Sequence, residues 1–166
     1  MTDSQDVTVP TAKRPSPGKL GLWFARAPKY LYHAGLGRLM TRRFVLVEHT
    51  GRKTGIARET VLEVIRRNQT SLDVAAAHGP TSDWYRNLRA TPEVRISTGK
   101  LRSVPALAET LDADVARTVF EVYSREHPRA AKFLSKAVGL PMGDAEAMAS
   151  TVRLVRLSLT GRQATI

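Results

Sequence analysis

The sequence predicts an α+β fold with a mainly antiparallel sheet of about six strands. Segments rich in β-branched residues alternate with polar residues, as half-buried strands do. The connections between the first three segments are short, whereas a parallel sheet needs long crossovers. Helical segments precede and follow these strands, and six strands are enough to close into a small barrel. The length of 166 residues, with 42% hydrophobic residues, is that of one ordinary globular domain.

Two segments precede a domain that we predict at residues 41–166. Residues 1–17 are polar, contain three prolines and lack the apolar core of a signal peptide, so we interpret them as a flexible tail. Residues 18–40 repeat apolar residues near helical spacing and carry several bases, which is typical of a basic amphipathic helix. Such a helix packs on its own domain or lies on an anionic membrane surface, and the sequence leaves both alternatives open.

An antiparallel meander of three strands is predicted next, over residues 44–49, 58–65 and 71–77. A loop with two glycines, residues 50–55, joins the first strand to the second, and a turn at residues 68–69 joins the second to the third. The remaining predicted elements are, in order, a helix at 82–90, strands at 93–97 and 101–109, a helix that Asp112 caps, that Pro128 interrupts and that ends at Gly139, a short helix at 144–150 and a strand at 152–159.

The composition excludes several classes of site. The chain has no cysteine, so disulfides, iron–sulfur clusters and a cysteine nucleophile are excluded. No two of the four histidines are four residues apart, and no metal site is predicted. No segment is apolar enough to span a bilayer, and the expected compartment is the cytoplasm. A G-x-S-x-G nucleophile motif is missing, so an enzyme of this kind would rely on a cofactor for its chemistry.

The positive charge of the chain is concentrated in one stretch. Lysine and arginine total 26 against 15 acidic residues, which gives a net charge of +11. Residues 13–58 hold eleven of these bases and one acid, Glu48, so this stretch alone carries +10. A local positive field of this kind indicates an anionic partner: a nucleic acid, a phosphate-bearing ligand or an anionic membrane surface.

The loop between the first two predicted strands is the main candidate for a binding segment. Its sequence TGRKTGIAR, residues 50–58, holds three bases and two glycines. Glycines allow backbone N–H groups to approach a phosphate closely, and arginine binds a phosphate through two parallel hydrogen bonds. The spacing is not that of a P-loop. Anion binding and a solvated hairpin tip are both open alternatives for this loop.

Three further segments carry candidate residues, each with a structural alternative. Residues 73–79 end a strand with three alanines, His78 and a glycine, which allows either a flat ligand or a helix to lie against the backbone. Trp84 and Asn87 can stack on a ring and hydrogen-bond it, although Trp84 at helical spacing also suits the core. Tyr123, close to His127 on the predicted long helix, either faces a cleft or is half-buried in the core.

Three ordered motifs resemble those of a known family. They are FVLVEHTGRKTGIAR at residues 44–58, DVAAAHG at residues 73–79 and DWYRNLRATPEV at residues 83–94. In order and spacing they are similar to the motifs of the deazaflavin-dependent nitroreductase and quinone reductase family. A later segment, YSREHPRAA at residues 123–131, resembles one branch of the same family. The resemblance covers about residues 40–160, most of the chain.

The resemblance implies a split β-barrel of the FMN-binding type and an F-420-dependent oxidoreductase. Its cofactor, the 8-hydroxy-5-deazaflavin coenzyme F-420, is strongly anionic, which agrees with the basic stretch. The reduced coenzyme would give a hydride to a quinone, a nitroaromatic or an activated alkene. The residues implied in cofactor binding are Arg52, Lys53, Thr54 and Arg58 for the phosphate and tail, the backbone of Ala75, Ala76, Ala77, His78 and Gly79 for the ring, and Trp84 and Asn87 beside it. Tyr123 and His78 are the candidates for a catalytic role.

Other functions compatible with the sequence are a non-catalytic carrier of F-420 and an FMN-binding barrel. FMN is the less favoured cofactor, because bases that extend to Arg58 suit a longer anionic tail. A nucleic-acid partner is not expected, since the strands lack the interleaved aromatic residues that stack on bases. The expected partner is a small-molecule electron acceptor, and contact of residues 18–40 with the inner face of the cell membrane is one of the two alternatives for that segment. Both a monomer and a homodimer are compatible with the sequence.

Overall fold

The computed structural model describes residues 43–77, 79–141 and 143–160. The predicted tail at residues 1–17, the amphipathic segment at residues 18–40 and His78 lie outside the described residues. The described elements are strands β1 (Phe44–Thr50), β2 (Ala57–Arg67) and β3 (Ser71–Ala76), a single 3₁₀ turn (Gly79–Thr81), helix α1 (Asp83–Ala90), strands β4 (Glu93–Thr98) and β5 (Leu101–Thr110), helices α2 (Ala113–Glu126), α3 (Pro128–Val138) and α4 (Ala145–Thr151), and strand β6 (Arg153–Leu159).

The six strands form a closed barrel in the order β1-β2-β3-β6-β5-β4, with β4 also paired to β1. All six pairings are antiparallel. The predicted α+β class and the antiparallel meander are therefore confirmed. Strand β2 is longer than predicted, because Arg66 and Arg67 continue the pairing with Asp73 and Leu72 of β3.

The helical part of the chain also begins and ends close to the predicted residues. Pro128 stands in the first turn of α3, where its missing N–H costs nothing, and α3 ends at Gly139. The Asp144 carboxylate caps α4 by accepting a hydrogen bond of 2.8 Å from the Ala147 N–H. Asp112 occupies the N-cap position of α2, but its side chain makes no capping hydrogen bond, so that part of the prediction is wrong.

Apolar side chains form two cores, one on each side of the barrel wall. The interior core holds alternate residues of the strands and two residues of α1, Tyr85 and Leu88. The outer core lies between the barrel and helices α2, α3 and α4, and Phe120 is among its most buried side chains. The loop of residues 51–56 and helix α1 lie at one end of the barrel, the end at which β1 is joined to β2.

A buried carboxylate joins three neighbouring strands on the outer side of the wall. Asp73 of β3 is fully buried. It accepts hydrogen bonds from Nε of Arg66 on β2 at 2.7 Å and from Nε of Arg156 on β6 at 2.9 Å. Asp73 raises the pKa of Arg156. Because the guanidinium groups of Arg66 and Arg156 neutralise the buried carboxylate, we interpret these three residues as a structural ion network.

Candidate functional site

The loop between β1 and β2 is folded tightly on itself. The Gly51 N–H donates a hydrogen bond to the Ile56 carbonyl at 2.9 Å, and the Gly55 N–H donates to the Gly51 carbonyl at 2.8 Å. A Cβ atom on Gly51 would lie 2.9 Å from Nε of Arg58. Glycine at position 51 therefore allows the Arg58 side chain to pass close to the loop backbone.

Arg52 binds this loop to the start of helix α1. Its Nη2 lies 2.9 Å from Oδ1 of Asp83, and its Nη1 donates to Oδ1 of Asn87 at 2.9 Å. The Arg52 backbone N–H donates to the same Asn87 oxygen at 3.1 Å. The hydrogen bond from Arg52 and its positive charge lower the pKa of Asp83, so that this carboxylate stays ionised. Arg52 thus fixes the position of the loop relative to the helix.

His49 stands at the end of β1, where the barrel interior opens. It belongs to the alternating row of Val45 and Val47, which points into the barrel, and it pairs in register with Arg58 of β2. His49 is 6% exposed, and its Nδ1 lies 3.3 Å from Nδ2 of Asn87. Burial lowers the pKa of His49, a hydrogen bond with the Thr50 backbone opposes this shift, and the charge of Arg58 lowers the pKa further.

Two adjoining clefts meet at this end of the barrel. The larger, of about 700 Å³, is lined by side chains of β1, β2 and α1, among them His49 and Trp84. The smaller, of about 280 Å³, is lined by the loop residues Gly51, Arg52, Lys53 and Thr54. Arg58, Asp83 and Asn87 line both. The larger volume lies within the range of roughly 300–1,000 Å³ that is usual for small-molecule sites.

Two cations of the smaller cleft have no partner in the described part of the chain. Neither Lys53 nor Arg58 makes a hydrogen bond or an ion pair with another described residue, and both side chains are exposed. The backbone N–H of Lys53 likewise has no acceptor among the described residues. An ammonium, a guanidinium and an amide N–H in one cleft are the donors that a phosphate or a carboxylate group needs. The site can therefore bind an anion at the loop and a flat ring beside Trp84.

Comparison with known proteins adds the family. The sequence matches the F-420H2-dependent quinone reductase family over residues 26–140, more than two thirds of the chain. The chain belongs to this family. It is accordingly an oxidoreductase, an F-420H2-dependent reductase with a split β-barrel fold. No curated protein sequence matches the chain.

Solved structures resemble this family member in fold. A Listeria innocua protein described as a pyridoxamine 5′-phosphate oxidase is 11% identical, with a TM-score of 0.51, over 79% of this chain and 94% of that one. HutZ, the heme storage protein of Vibrio cholerae, is 14% identical, with a TM-score of 0.52, over 81% and 93%. An F-420-H2 dependent reductase (FDR-A) is 20% identical, with a TM-score of 0.49, over 71% and 96%.

Of the cofactor-binding residues predicted from the sequence of this F-420H2-dependent reductase, six lie together in the two clefts. They are Arg52, Lys53, Thr54, Arg58, Trp84 and Asn87. Two of the six are already engaged within the protein, since the Arg52 guanidinium and the Asn87 amide bind each other. Arg52 and Asn87 therefore hold the loop and the helix together, whereas Lys53 and Arg58 have no partner among the residues that the structure describes.

In the second predicted group, the described residues Ala75, Ala76, Ala77 and Gly79 do not line either cleft. Ala76 is fully buried in the barrel interior, and Ala75 and Ala77 pack against the outer core. A Cβ atom on Gly79 would lie 2.9 Å from the Thr151 carbonyl of α4. The described residues of segment 73–79 therefore fit the structural alternative, in which a helix packs closely on the sheet.

Tyr123, a candidate for a catalytic role, does not face these clefts. It is 3% exposed on α2, and its hydroxyl donates a hydrogen bond to Oε1 of Glu63 at 3.0 Å. Glu63 lies five residues beyond Arg58 along β2, about 16 Å away, and on the outer face of the barrel. Burial, reinforced by the charge of Glu63, raises the pKa of Tyr123. The expectation that Tyr123 is buried in the core, the alternative to a cleft residue, fits this position.

His49 and Asp83 are site residues that the sequence reasoning did not single out. The strand FVLVEHT contains the signal for His49, because alternation places it on the same face as Val45 and Val47. An apolar row that ends in a histidine at the strand terminus marks the opening of a barrel interior. No comparable signal exists for Asp83, whose role follows from its ion pair with Arg52, 31 residues away in sequence.

Two observations restrict other kinds of site in the described ranges. No helix among the described residues is long and apolar enough to cross a membrane. No group of three or more histidine, aspartate or glutamate side chains is arranged there to hold a metal ion.

Proposed function

We propose that the chain binds reduced F-420 in the two adjoining clefts and reduces a quinone. The observation that carries this proposal is the pair of cations Lys53 and Arg58, which have no partner among the described residues and lie directly beside a ring-sized cleft. Membership of the F-420H2-dependent quinone reductase family supports both the cofactor and the class of acceptor. The charge of +10 on residues 13–58 suits a cofactor with an anionic tail better than a neutral ligand.

The smaller cleft is the proposed site of the phosphate and the oligoglutamate tail. Lys53 supplies an ammonium and a backbone N–H, and Arg58 supplies a guanidinium. Thr54 contributes its hydroxyl at the edge of the same cleft. Arg52 takes no direct part, because Asp83 and Asn87 already occupy its guanidinium, so its task is to hold the loop in place.

The larger cleft is the proposed site of the ring and the acceptor. Trp84 supplies an aromatic surface, and its inner edge packs on the barrel core, which limits its movement. Bound reduced F-420 supplies a hydride, and the quinone becomes a hydroquinone by taking up this hydride and one proton. The barrel wall and α1 hold the two reactants in contact, which is the main contribution that the protein makes to such a reaction.

A titration of the purified protein with oxidised F-420, followed by fluorescence, tests the proposed cofactor. FMN is the parallel ligand. We expect saturable binding of F-420 that is tighter than that of FMN and that weakens with salt. Equal or tighter binding of FMN would contradict the proposal and favour the flavin alternative.

Steady-state oxidation of F-420H2 with a water-soluble quinone then separates a reductase from a carrier. We expect turnover with the quinone, and slower turnover with a nitroaromatic of similar reduction potential. Tight binding without turnover of any acceptor would instead support the carrier function.

Two expectations about partners stay predictions. Residues 18–40, for which we propose contact with the inner face of the cell membrane, lie outside the described residues. Sedimentation with anionic vesicles, with and without this segment, measures that contact. The choice between a monomer and a homodimer is measured by light scattering.

A further inference from the structure

Helix α3 has an exposed face that the proposed cofactor site does not use. The opposite face is buried, because Ala130, Ala131 and Leu134 pack in the outer core. Phe133 is 72% exposed, more than any other large apolar side chain in the described part of the chain. The fold therefore gains little from an aromatic residue at this position, and the ring is free to contact something outside the domain.

Three bases lie beside Phe133 on the exposed face. Arg129 precedes it by four residues and Lys136 follows it by three, so both are its neighbours on the helix surface. Lys132 lies between them, one residue before Phe133. All three basic side chains are exposed, and none makes a hydrogen bond or an ion pair with another described residue. We call these four residues the α3 patch.

No acidic residue of the same helix balances the α3 patch. The sequence of α3, PRAAKFLSKAV, contains three bases and neither aspartate nor glutamate. The neighbouring helices differ, since Arg117 of α2 lies 3.8 Å from Asp114 and 3.5 Å from Glu146 of α4. Bases without acidic partners around an exposed aromatic ring are typical of a helix face that binds an anionic lipid surface.

The charge of the α3 patch argues against contact with other parts of the same protein. Residues 18–40 carry four bases and no acid, and a second copy of the chain would bring the same three bases to a contact between identical patches. Like charges repel in both cases. A nucleic acid fits less well, because single strands are bound in grooves with several aromatic residues, whereas α3 has one aromatic residue on a convex surface.

We propose that the α3 patch binds the surface of a membrane that contains anionic lipids. Arg129, Lys132 and Lys136 contact the lipid phosphates, and Phe133 enters the boundary between the headgroups and the acyl chains. The aliphatic parts of the two lysine side chains lie along the lipid while their ammonium groups stay at the level of the phosphates. This contact is separate from the one proposed for residues 18–40, and it does not depend on bound F-420.

A fluorescent label at position 133 tests the contact directly in the full-length chain. The sequence has no cysteine, so Phe133→Cys provides a single site for an environment-sensitive fluorophore. Leu107→Cys, at an exposed apolar position of β5, is the matched control. We expect the emission of the label at 133, but not at 107, to shift to the blue with vesicles of phosphatidylglycerol and phosphatidylcholine, and neither to shift with phosphatidylcholine alone. An unshifted label at 133 on protein that sediments with the anionic vesicles would overturn the proposal and leave the contact to residues 18–40. An unshifted label on protein that does not sediment would overturn it as well.

Sedimentation of unlabelled variants with the same vesicles tests the bases and the ring. We expect the double variant Lys132→Gln/Lys136→Gln to lower the partition coefficient about tenfold, and Phe133→Ser to lower it about fivefold. The control Arg89→Gln/Lys100→Gln removes two exposed bases from other elements and should lower it less than twofold. If the two double variants lose binding equally, net charge alone attracts the protein and the α3 patch makes no specific contact.

Discussion

At the scale of single residues, the larger cleft contains a buried histidine whose pKa is lowered by its surroundings. His49 has a pKa below its usual value of 6.5 in the folded protein, whereas the unfolded chain has no such shift. The unfolded state therefore binds more protons than the folded state as the pH falls below about 6.5. The contribution of His49 to stability is fully present above that pH and is lost as the pH decreases towards the folded-state pKa.

This linkage predicts a pH dependence that a single substitution reduces. We expect the free energy of unfolding of the wild type to decrease between pH 7.5 and pH 5 and that of His49→Gln to decrease less, because the variant has no imidazole to titrate. Urea denaturation at several pH values measures both. His127→Gln, which removes an exposed histidine, serves as the control for a general effect of histidine removal. If the free energies of unfolding of the wild type and His49→Gln changed in parallel with pH, the pKa of His49 would not be shifted in the folded protein.

The sequence carries different amounts of information about different residues of the site. Lys53 and Arg58 stand out because a hairpin loop with glycines and bases is a local pattern. Asp83 does not, since its importance comes from a partner 31 residues away. Ala75 and Gly79 illustrate the opposite case: small residues permit either a ligand or a helix to approach, and only the packing of α4 decides between them.

At the scale of secondary-structure elements, helix α2 is attached to the barrel by a partly buried hydrogen bond. The Tyr123 hydroxyl donates to Glu63 of β2, and Glu63 is also paired with Arg43 at 3.1 Å. In Tyr123→Phe, Glu63 keeps Arg43 as its partner and the ring still fills its space. We expect a loss of about 1 kcal/mol in the free energy of unfolding, the usual contribution of one such bond.

The same variant tests the position of Tyr123 relative to the site. Since Tyr123 lies on the outer face of the barrel, Tyr123→Phe should bind F-420 with the affinity of the wild type. The two measurements are urea denaturation and the fluorescence titration. A large loss of affinity for F-420 without a loss of stability would contradict this position and make Tyr123 a residue of the site.

The junction between β3 and α4 makes a second prediction at this scale. Gly79 has a φ of +57°, and the Thr151 carbonyl occupies the place of a Cβ atom at 2.9 Å. Gly139 has a similar φ of +74° with open space around it. Gly139→Ala should cost roughly 1–2 kcal/mol of stability from backbone strain alone. Gly79→Ala should cost more, because β3 and α4 must also separate, and thermal denaturation of both variants measures the difference.

Element types were predictable here because each strand and helix has a distinct period and clear end signals. The alternation in β1 and the sequence Gly139-Leu-Pro141 after α3 are examples of such local signals. The ends of β2 were not predictable, since Arg66 joins the strand through Asp73 on a neighbouring strand. The pairing of β4 with β1, which closes the barrel, is also non-local. The number of predicted strands showed that a barrel could close, but it did not show which strands would pair.

At the scale of the whole molecule, the positive charge is concentrated in one stretch of the sequence. Residues 13–58 carry +10 of the net +11, whereas bases elsewhere are balanced by acids. A ligand with several negative charges is attracted to this region as a whole, but a close contact is screened less by salt than a distant one. Lys53 lies in the smaller cleft, whereas Lys132 of α3 is exposed and well separated from it in the chain.

Lys53→Ala and Lys132→Ala therefore remove the same formal charge from two different places. We expect Lys53→Ala to weaken F-420 binding about tenfold at low salt, the loss of one charge-assisted contact of about 1.5 kcal/mol, and to flatten the dependence of the dissociation constant on salt. Lys132→Ala should change the affinity less than twofold, because it alters only the long-range field. Fluorescence titrations at 20 and 200 mM salt measure both variants. Equal effects of the two substitutions would mean that net charge alone attracts the coenzyme, and that the loop of residues 51–56 makes no specific contact with its tail.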